Sequence, residues 1–388
     1  MTPEPDQTET TTTESGRQTT ETTERTETSD GSDATEAFVE QVFDAVVGAF
    51  TVDTLFVGHK LGYYDAIAGA GTVTSEELAA ATDTHERYAR EWLEQQTVAG
   101  ILGVEDEAAE ATSRRYFLPP GREEALTDRD SLNYVAPVSG LVVGAVRPID
   151  AILDAYRTGG GVPYEDYGEH FHEGQAGLNR PAFLHSIGSE WVPAMPDVDE
   201  RLRSDPPARV ADVGCGHGWS SIGIAQAYPS VHVDGYDLDE GSVEAAQKNV
   251  SAAGLDDRVT VECRDAGDTD IEGGYDLVTA FECVHDLSDP VGVLRNVRRL
   301  VADDGAVLVA DERVSDEFTA EGNEIEPMLY GWSVLHCLPV GMADHPSAAT
   351  GTVMRADTLR EYATEAGFSD LTVLPVENFF FRFYRLEP

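Results

Sequence analysis

The run Val210-Ala-Asp-Val-Gly-Cys-Gly-His-Gly218 constrains this chain more than any other stretch. A short apolar segment ending in an acid leads directly into three alternating glycines, which predicts a strand running into a tight, ligand-cradling turn. Glycine at 214, 216 and 218 permits positive φ and leaves no Cβ between the backbone and a bound molecule. A dinucleotide fingerprint would read G-x-G-x-x-G, its last glycine letting the helix pack close to the strand with the pyrophosphate on the helix N-terminus. Here Trp219 stands where that glycine belongs. The turn therefore suits a nucleoside without a pyrophosphate better than a dinucleotide.

From Arg209 onward, strand and helix patterns alternate. Strands are expected at 209–213, 231–236, 259–263, 275–281 and 306–310, with helices at 242–253 and 291–301 between them. Such alternation implies a mainly parallel sheet covered on both faces. Near the end, 356–366 reads as a helix, and 371–375 and 379–384 read as two strands forming a hairpin on that sheet. Asp237 closes the second strand, where an acid accepts hydrogen bonds from both ribose hydroxyls. Asp265 and Ala266 follow the third strand, where a residue can read an adenine amino group. With the glycine turn, these positions suggest S-adenosylmethionine (SAM) as the ligand. An NAD enzyme is the less favoured alternative because of Trp219.

Taken in order, Asp212-Val-Gly-Cys-Gly-His-Gly218, Tyr236-Asp-Leu-Asp239, Arg264-Asp-Ala266, Phe281-Glu-Cys-Val-His-Asp-Leu-Ser-Asp-Pro290 and Gly305-Ala-Val-Leu-Val-Ala-Asp-Glu312 resemble a class I SAM-dependent methyltransferase. The resemblance covers roughly residues 205 to 388. It implies a Rossmann-like, seven-stranded, mostly parallel sheet with an antiparallel last strand. It also implies cofactor contacts from Asp212, Gly214, Gly216, Gly218, Asp237, Leu238, Asp265, Ala266 and Phe281, with Phe281 near the sulfonium.

His285 is the catalytic candidate. Methyl transfer is a displacement at carbon in which positioning supplies much of the acceleration, but a hydroxyl acceptor must also lose its proton. Histidine titrates in the right range for that task. The segment His285-Asp-Leu-Ser-Asp resembles the His-Asp-Trp-Ser-Asp segment that holds the base in plant-type O-methyltransferases, with Leu287 replacing tryptophan. Glu312, ending the fifth strand, is the expected orienter of the imidazole. Methylation at N, S or C remains an alternative to oxygen, and no metal is expected.

Upstream, residues 1–34 are almost wholly polar and acidic and read as a disordered tail. Residues 35–125 carry a helix, a short capped helix from Thr74, a second helix around 86–98 and two short strands, the pattern of a winged helix. It resembles the dimerising N-terminal region of small-molecule O-methyltransferases and of a bacterial group of winged-helix methyltransferases. Glu86, Glu91 and Glu94 offset Arg87 and Arg90 on the second helix, where a DNA reader would be basic. A structural or dimerising role is expected, and a SAM-binding DNA regulator is the competing reading. Residues 126–204 read as a helical connector and substrate lid, in which Tyr164, Tyr167, His170, His172 and His185 are candidate pocket residues.

Charge sets the partner classes. Against 72 acidic residues stand 26 basic ones, a formal net charge of -46, which repels nucleic acid and anionic lipid. The expected partner is a small-molecule acceptor, with a second copy of the chain as homodimer. No apolar run approaching the ~20 residues of a membrane span is apparent, and a cytoplasmic location is expected. The four cysteines show no paired zinc or disulfide spacing. Dense carboxylates resemble those of halophilic proteins. Since the Debye length falls to roughly 3 Å at 1 M salt, self-repulsion should relax there. The melting temperature is expected to rise from low to molar KCl; a flat or falling profile in a thermal scan would refute this.

Overall fold

The computed structural model describes residues 27–388. Two compact units divide the chain, Met1–Phe50 and Thr51–Pro388. Most of the expected acidic tail lies outside the described residues. Its last part, from Glu27, is already helical, in a helix that runs Glu27–Lys60. Once an apolar segment has nucleated a helix, each added residue costs little, so the polar residues before Glu36 extend it. Contrary to the sequence expectation, Gly31–Lys60 is long and apolar enough, by length and composition, to cross a membrane. Acids dispersed along it, such as Asp44 and Asp53, hide that density from a search for an unbroken run.

In the second unit, the helices Tyr63–Ala70, Ser75–Thr82 and Glu86–Val98 precede a small hairpin of β1 (Gly103–Val104) and β2 (Tyr116–Phe117). Thr74 caps the middle helix in a full capping box with Glu77, which satisfies two otherwise orphaned backbone donors. Tyr64, Ile67, Leu78, Trp92, Leu93 and Tyr116 bury their side chains together as the core of this part. The winged-helix pattern read from the sequence is thus the order the structure adopts.

The sheet contains β3 (Arg209–Val213), β4 (His232–Asp237), β5 (Val259–Cys263), β6 (Tyr275–Phe281), β7 (Val301–Glu312), β8 (Asp370–Val373) and β9 (Phe381–Glu387). Their spatial order is β5-β4-β3-β6-β7-β9-β8. Pairing is parallel from β5 to β7, whereas β9 runs antiparallel between β7 and β8. The terminal hairpin therefore inserts its last strand into the sheet instead of adding it at the edge. Alternating residues supply the two faces: Val210 and Leu277 join one apolar core, Ala211 and Val278 the other.

Helix Glu169–His185 covers the carboxyl edge of β3 and β6. The sequence reads Tyr164 to His172 as a polar aromatic connector; the structure makes it a 3-10 turn, Tyr164–Tyr167, followed by this helix. Gly144 lets the helix Val138–Ala145 approach closely, because a Cβ there would lie 2.5 Å from that of Phe171. Just beyond the helix, the fully buried Trp191 packs against Phe183, Phe281, Phe381 and Phe383. It couples the covering helix to both β6 and β9. Trp191→Ala is expected to destabilise the fold by about 3–5 kcal/mol, read as a lowered denaturation midpoint in high salt; a change below about 1 kcal/mol would contradict this packing role.

Candidate active site

At the end of β3 the backbone makes the turn the glycines require: φ is +68° at Gly214, +51° at Gly216 and +77° at Gly218. A side chain is strained in all three places, and at Gly214 an added Cβ would also lie 2.8 Å from the Cβ of Cys283. Two carboxylates hold the turn. Behind it, buried Asp212 accepts hydrogen bonds from Ser220 and Ser221, each at 2.6 Å, and from Thr279 at 2.7 Å. In front, Asp237 accepts from the backbone N–H of Gly216 at 2.8 Å and of Asp239 at 2.9 Å. Burial raises the Asp237 carboxyl above its ordinary pKa, against those two bonds.

The turn opens onto a cavity of about 580 Å³, within the range of small-molecule sites. Of the cofactor contacts expected from the sequence, Gly214, Gly216, Asp237, Leu238, Asp265, Ala266 and Phe281 line it. Asp212 and Gly218 do not; they shape the turn from behind and at its exit into the helix Trp219–Ala227. Tyr164 and His172, stacked with ring centroids 4.2 Å apart, also line the cavity, as do Gln175 and Asn179. Tyr167 is instead buried beside it, its hydroxyl donating to the Leu335 carbonyl at 2.9 Å. His170 packs on Phe56, and His185 lies outside the lining.

His285, only 2% exposed, is not among the lining residues. Its Nδ1 lies 2.8 Å from an oxygen of Asp311 and 3.0 Å from one of Glu312, while Nε2 lies 3.3 Å from Asp286. Burial opposes a charged imidazole, but Asp311, Glu312 and Asp286 outweigh it and hold His285 well above the usual histidine range. The expected Glu312 contact is present, and sequence reasoning missed Asp311 beside it. The strand end presents both acids to one ring. Burial pushes Asp311 upward, yet the imidazole's charge and hydrogen bond keep it below the ordinary range; Glu312 is pushed well above it by burial. The shifts of His285 and Asp311 both favour their charged forms beside one another.

Two further carboxylates, Asp286 and Glu282, line the cavity. Asp286 is raised to about 6 by burial, against the pull of His285. Glu282, the residue after β6, is raised to about 7 for the same reason and accepts a hydrogen bond from the Asn179 amide. Carboxyls titrating near neutrality in a cavity can exchange protons with a bound molecule.

Residues 211–307 match the model of a methyltransferase domain, and residues 49–128 that of an Rv2258c-like winged helix-turn-helix domain. Ajmaline N-methyltransferase of Rauvolfia serpentina is 28% identical over 187 residues, 46% of this chain and 62% of that one. This chain spans less than two thirds of the length of the curated relatives it matches. Among solved structures, the mitomycin 7-O-methyltransferase MmcR aligns with a TM-score of 0.64 at 18% identity, covering 92% of this chain and 99% of that one. Human N-acetylserotonin methyltransferase in complex with SAM aligns at 0.61 and 17% identity, over 90% and 97%. The fold is that of class I methyltransferases, and the residues lining the turn fit their cofactor, SAM. Gly214→Ala is expected to weaken SAM binding at least tenfold by calorimetry; an unchanged affinity would show that the cofactor does not lie against this turn.

Proposed function

We propose that this chain is a SAM-dependent methyltransferase acting on a small molecule, at a hydroxyl oxygen, in the cavity between the glycine turn and the helix Glu169–His185. The observation that carries this reading is the continuity of the cavity. One side is the nucleoside cradle of Gly214, Gly216, Asp237 and Asp265; the other is polar, with Tyr164 and Asn179 beside the proton-accepting carboxyls of Glu282 and Asp286. SAM, when bound, supplies an activated methyl group on a cationic sulfur. The chain must place the acceptor in line with it, exclude water and remove the acceptor's proton.

The sequence makes His285 the general base. Its surroundings support a positioning role: as an imidazolium it pulls down the pKa of Asp286 and Glu282, keeping carboxylate available at the cavity wall. Asp286, which borders both the ring and the cavity, passes its influence to the acceptor. Glu312 and Asp311 hold the ring in place.

The winged-helix unit is proposed to be structural or dimerising and not to read nucleic acid. Arg87 and Arg90 of its second helix pair with Glu91 and Glu86 on the same helix, and Arg114 pairs with Glu94, which leaves little charge for phosphates. In the first unit, the exposed Phe38, Val42, Phe43 and Val46 support a homodimer in which a second copy covers that face. A cytoplasmic, halophilic setting belongs to the same proposal, supported by the net charge of -46.

Incubating the protein with methyl-labelled SAM and a cell extract tests the reaction. Label is expected in a small-molecule product, and label confined to protein, nucleic acid or unreacted SAM would overturn the proposal. With that acceptor, His285→Gln is expected to keep SAM affinity within about twofold while moving the acidic limb of the kcat/KM profile to higher pH, because a cation beside the carboxylates is gone. A collapse of turnover at every pH would return the base role to His285 itself.

A further inference from the structure

Glu282 is held in an unusual way. Its φ is +51°, and only Asp83 and Ala349 share that sign among the described non-glycine residues. Left-handed backbone is unfavourable for a side-chain-bearing residue and persists only where its surroundings impose it. Here β7 imposes it, since the Glu282 N–H donates to the Ala310 carbonyl at 2.9 Å and so extends the β6–β7 pairing past the strand end. The result is a carboxylate set in the cavity wall, anchored to Asn179 of the covering helix.

The charges acting on it are His285, Asp311 and Asp286; Glu165 and His172 beside the covering helix and His217, Asp237, Asp239, Glu240 and Asp265 on the sheet side line the same cavity. Arg264 also lines the cavity, but it is engaged by Asp268 at 2.8 Å. The remainder is strongly acidic, a setting that favours a cationic guest. Of the acids here, Glu282 is the one whose pKa is raised to about 7. A positive charge brought near such a group favours its ionised form.

We propose that Glu282 is charge-linked to the cofactor: it gives up its proton when the sulfonium enters the cavity and takes the acceptor's proton when the sulfonium becomes a thioether. In the transfer step the acceptor oxygen forms a bond to the methyl carbon. The sulfur–methyl bond breaks with its electron pair going to sulfur, and the acceptor's proton passes to the Glu282 carboxylate. The cation that had kept the carboxylate ionised disappears in the same step, so the group becomes a better proton acceptor as the proton arrives. Release of S-adenosylhomocysteine and product then lets the proton leave to solvent. This rests on the methyltransferase reading above, but requires no known acceptor to test.

Calorimetric titration of the full chain with SAM and, separately, with S-adenosylhomocysteine, in molar KCl at pH 6.5 and in buffers of different ionisation enthalpy, counts the protons released. Both ligands carry the same amino-acid and adenosine groups, so the difference isolates the sulfonium. SAM is expected to release roughly half a proton or more beyond S-adenosylhomocysteine, and the excess is expected to vanish at pH 9, where Glu282 is already ionised. In Glu282→Gln both ligands are expected to bind, with the excess near zero. Equal release by the two ligands in the wild type, or an excess that survives in Glu282→Gln, overturns the proposal while leaving the methyltransferase reading intact. Failure of both ligands to bind overturns the two together.

Stability gives a second readout. A carboxyl whose folded pKa is raised stabilises the fold below its ordinary pKa, and that contribution is lost as pH climbs from about 4.5 to about 7. Glu282→Gln is therefore expected to gain melting temperature relative to wild type between pH 5 and pH 8; a constant offset would contradict the shift. Should the variant fail to fold, the pH dependence of the wild-type excess decides alone.

Discussion

Everything in the site depends on how β3 ends. Three alternate residues adopt positive φ, and the turn they form is pinned between two carboxylates, one in the core and one at the cavity. Asp212 collects three hydroxyl hydrogen bonds in the core, and Asp237 collects two backbone ones at the cavity. A buried carboxylate with its oxygens satisfied is tolerable, and stripped of those donors it would be costly. The turn is therefore preorganised before any ligand arrives, and neighbouring strands place Asp265, Phe281 and Glu282 around it at the carboxyl edge of a parallel sheet.

A second constraint is electrostatic. Acids gathered after β6 and at the end of β7 surround one buried imidazole. The groups shift in opposite directions: the acids raise His285 well above the usual histidine range, the imidazole holds Asp311 below its ordinary range, and burial raises Glu312 well above its own. What remains at the cavity wall is a pair of carboxyls, Asp286 and Glu282, brought near neutrality. The histidine that resembles a family base lies behind the cavity wall, and the groups that line the cavity beside it are its acidic neighbours Asp286 and Glu282.

Much of this was legible in the chain. Strands 209–213, 259–263 and 275–281 and the helix 356–366 coincide with their expected limits, because each strand is rich in β-branched and other apolar residues between turn residues and the helix keeps its apolar residues at helical spacing. The glycine spacing located the cradle, and the acids after successive strands located its rim. Other features left no such mark. Helix Glu169–His185 contains Gly174, Gly177 and Pro181, residues that disguise a helix whose glycines serve close packing. Asp311 and Glu312, adjacent in a strand, would be expected on opposite faces, and only the strand end brings both to His285. For Glu282 the decisive property is a backbone angle imposed by pairing with β7, which no single residue type announces.

The most direct test of the account is a crystal structure of the full chain grown with S-adenosylhomocysteine. The account predicts the nucleoside against Gly214 and Gly216, with its ribose hydroxyls on Asp237 and its adenine beside Asp265. A nucleoside bound elsewhere, or a ribose that makes no contact with Asp237, would contradict it.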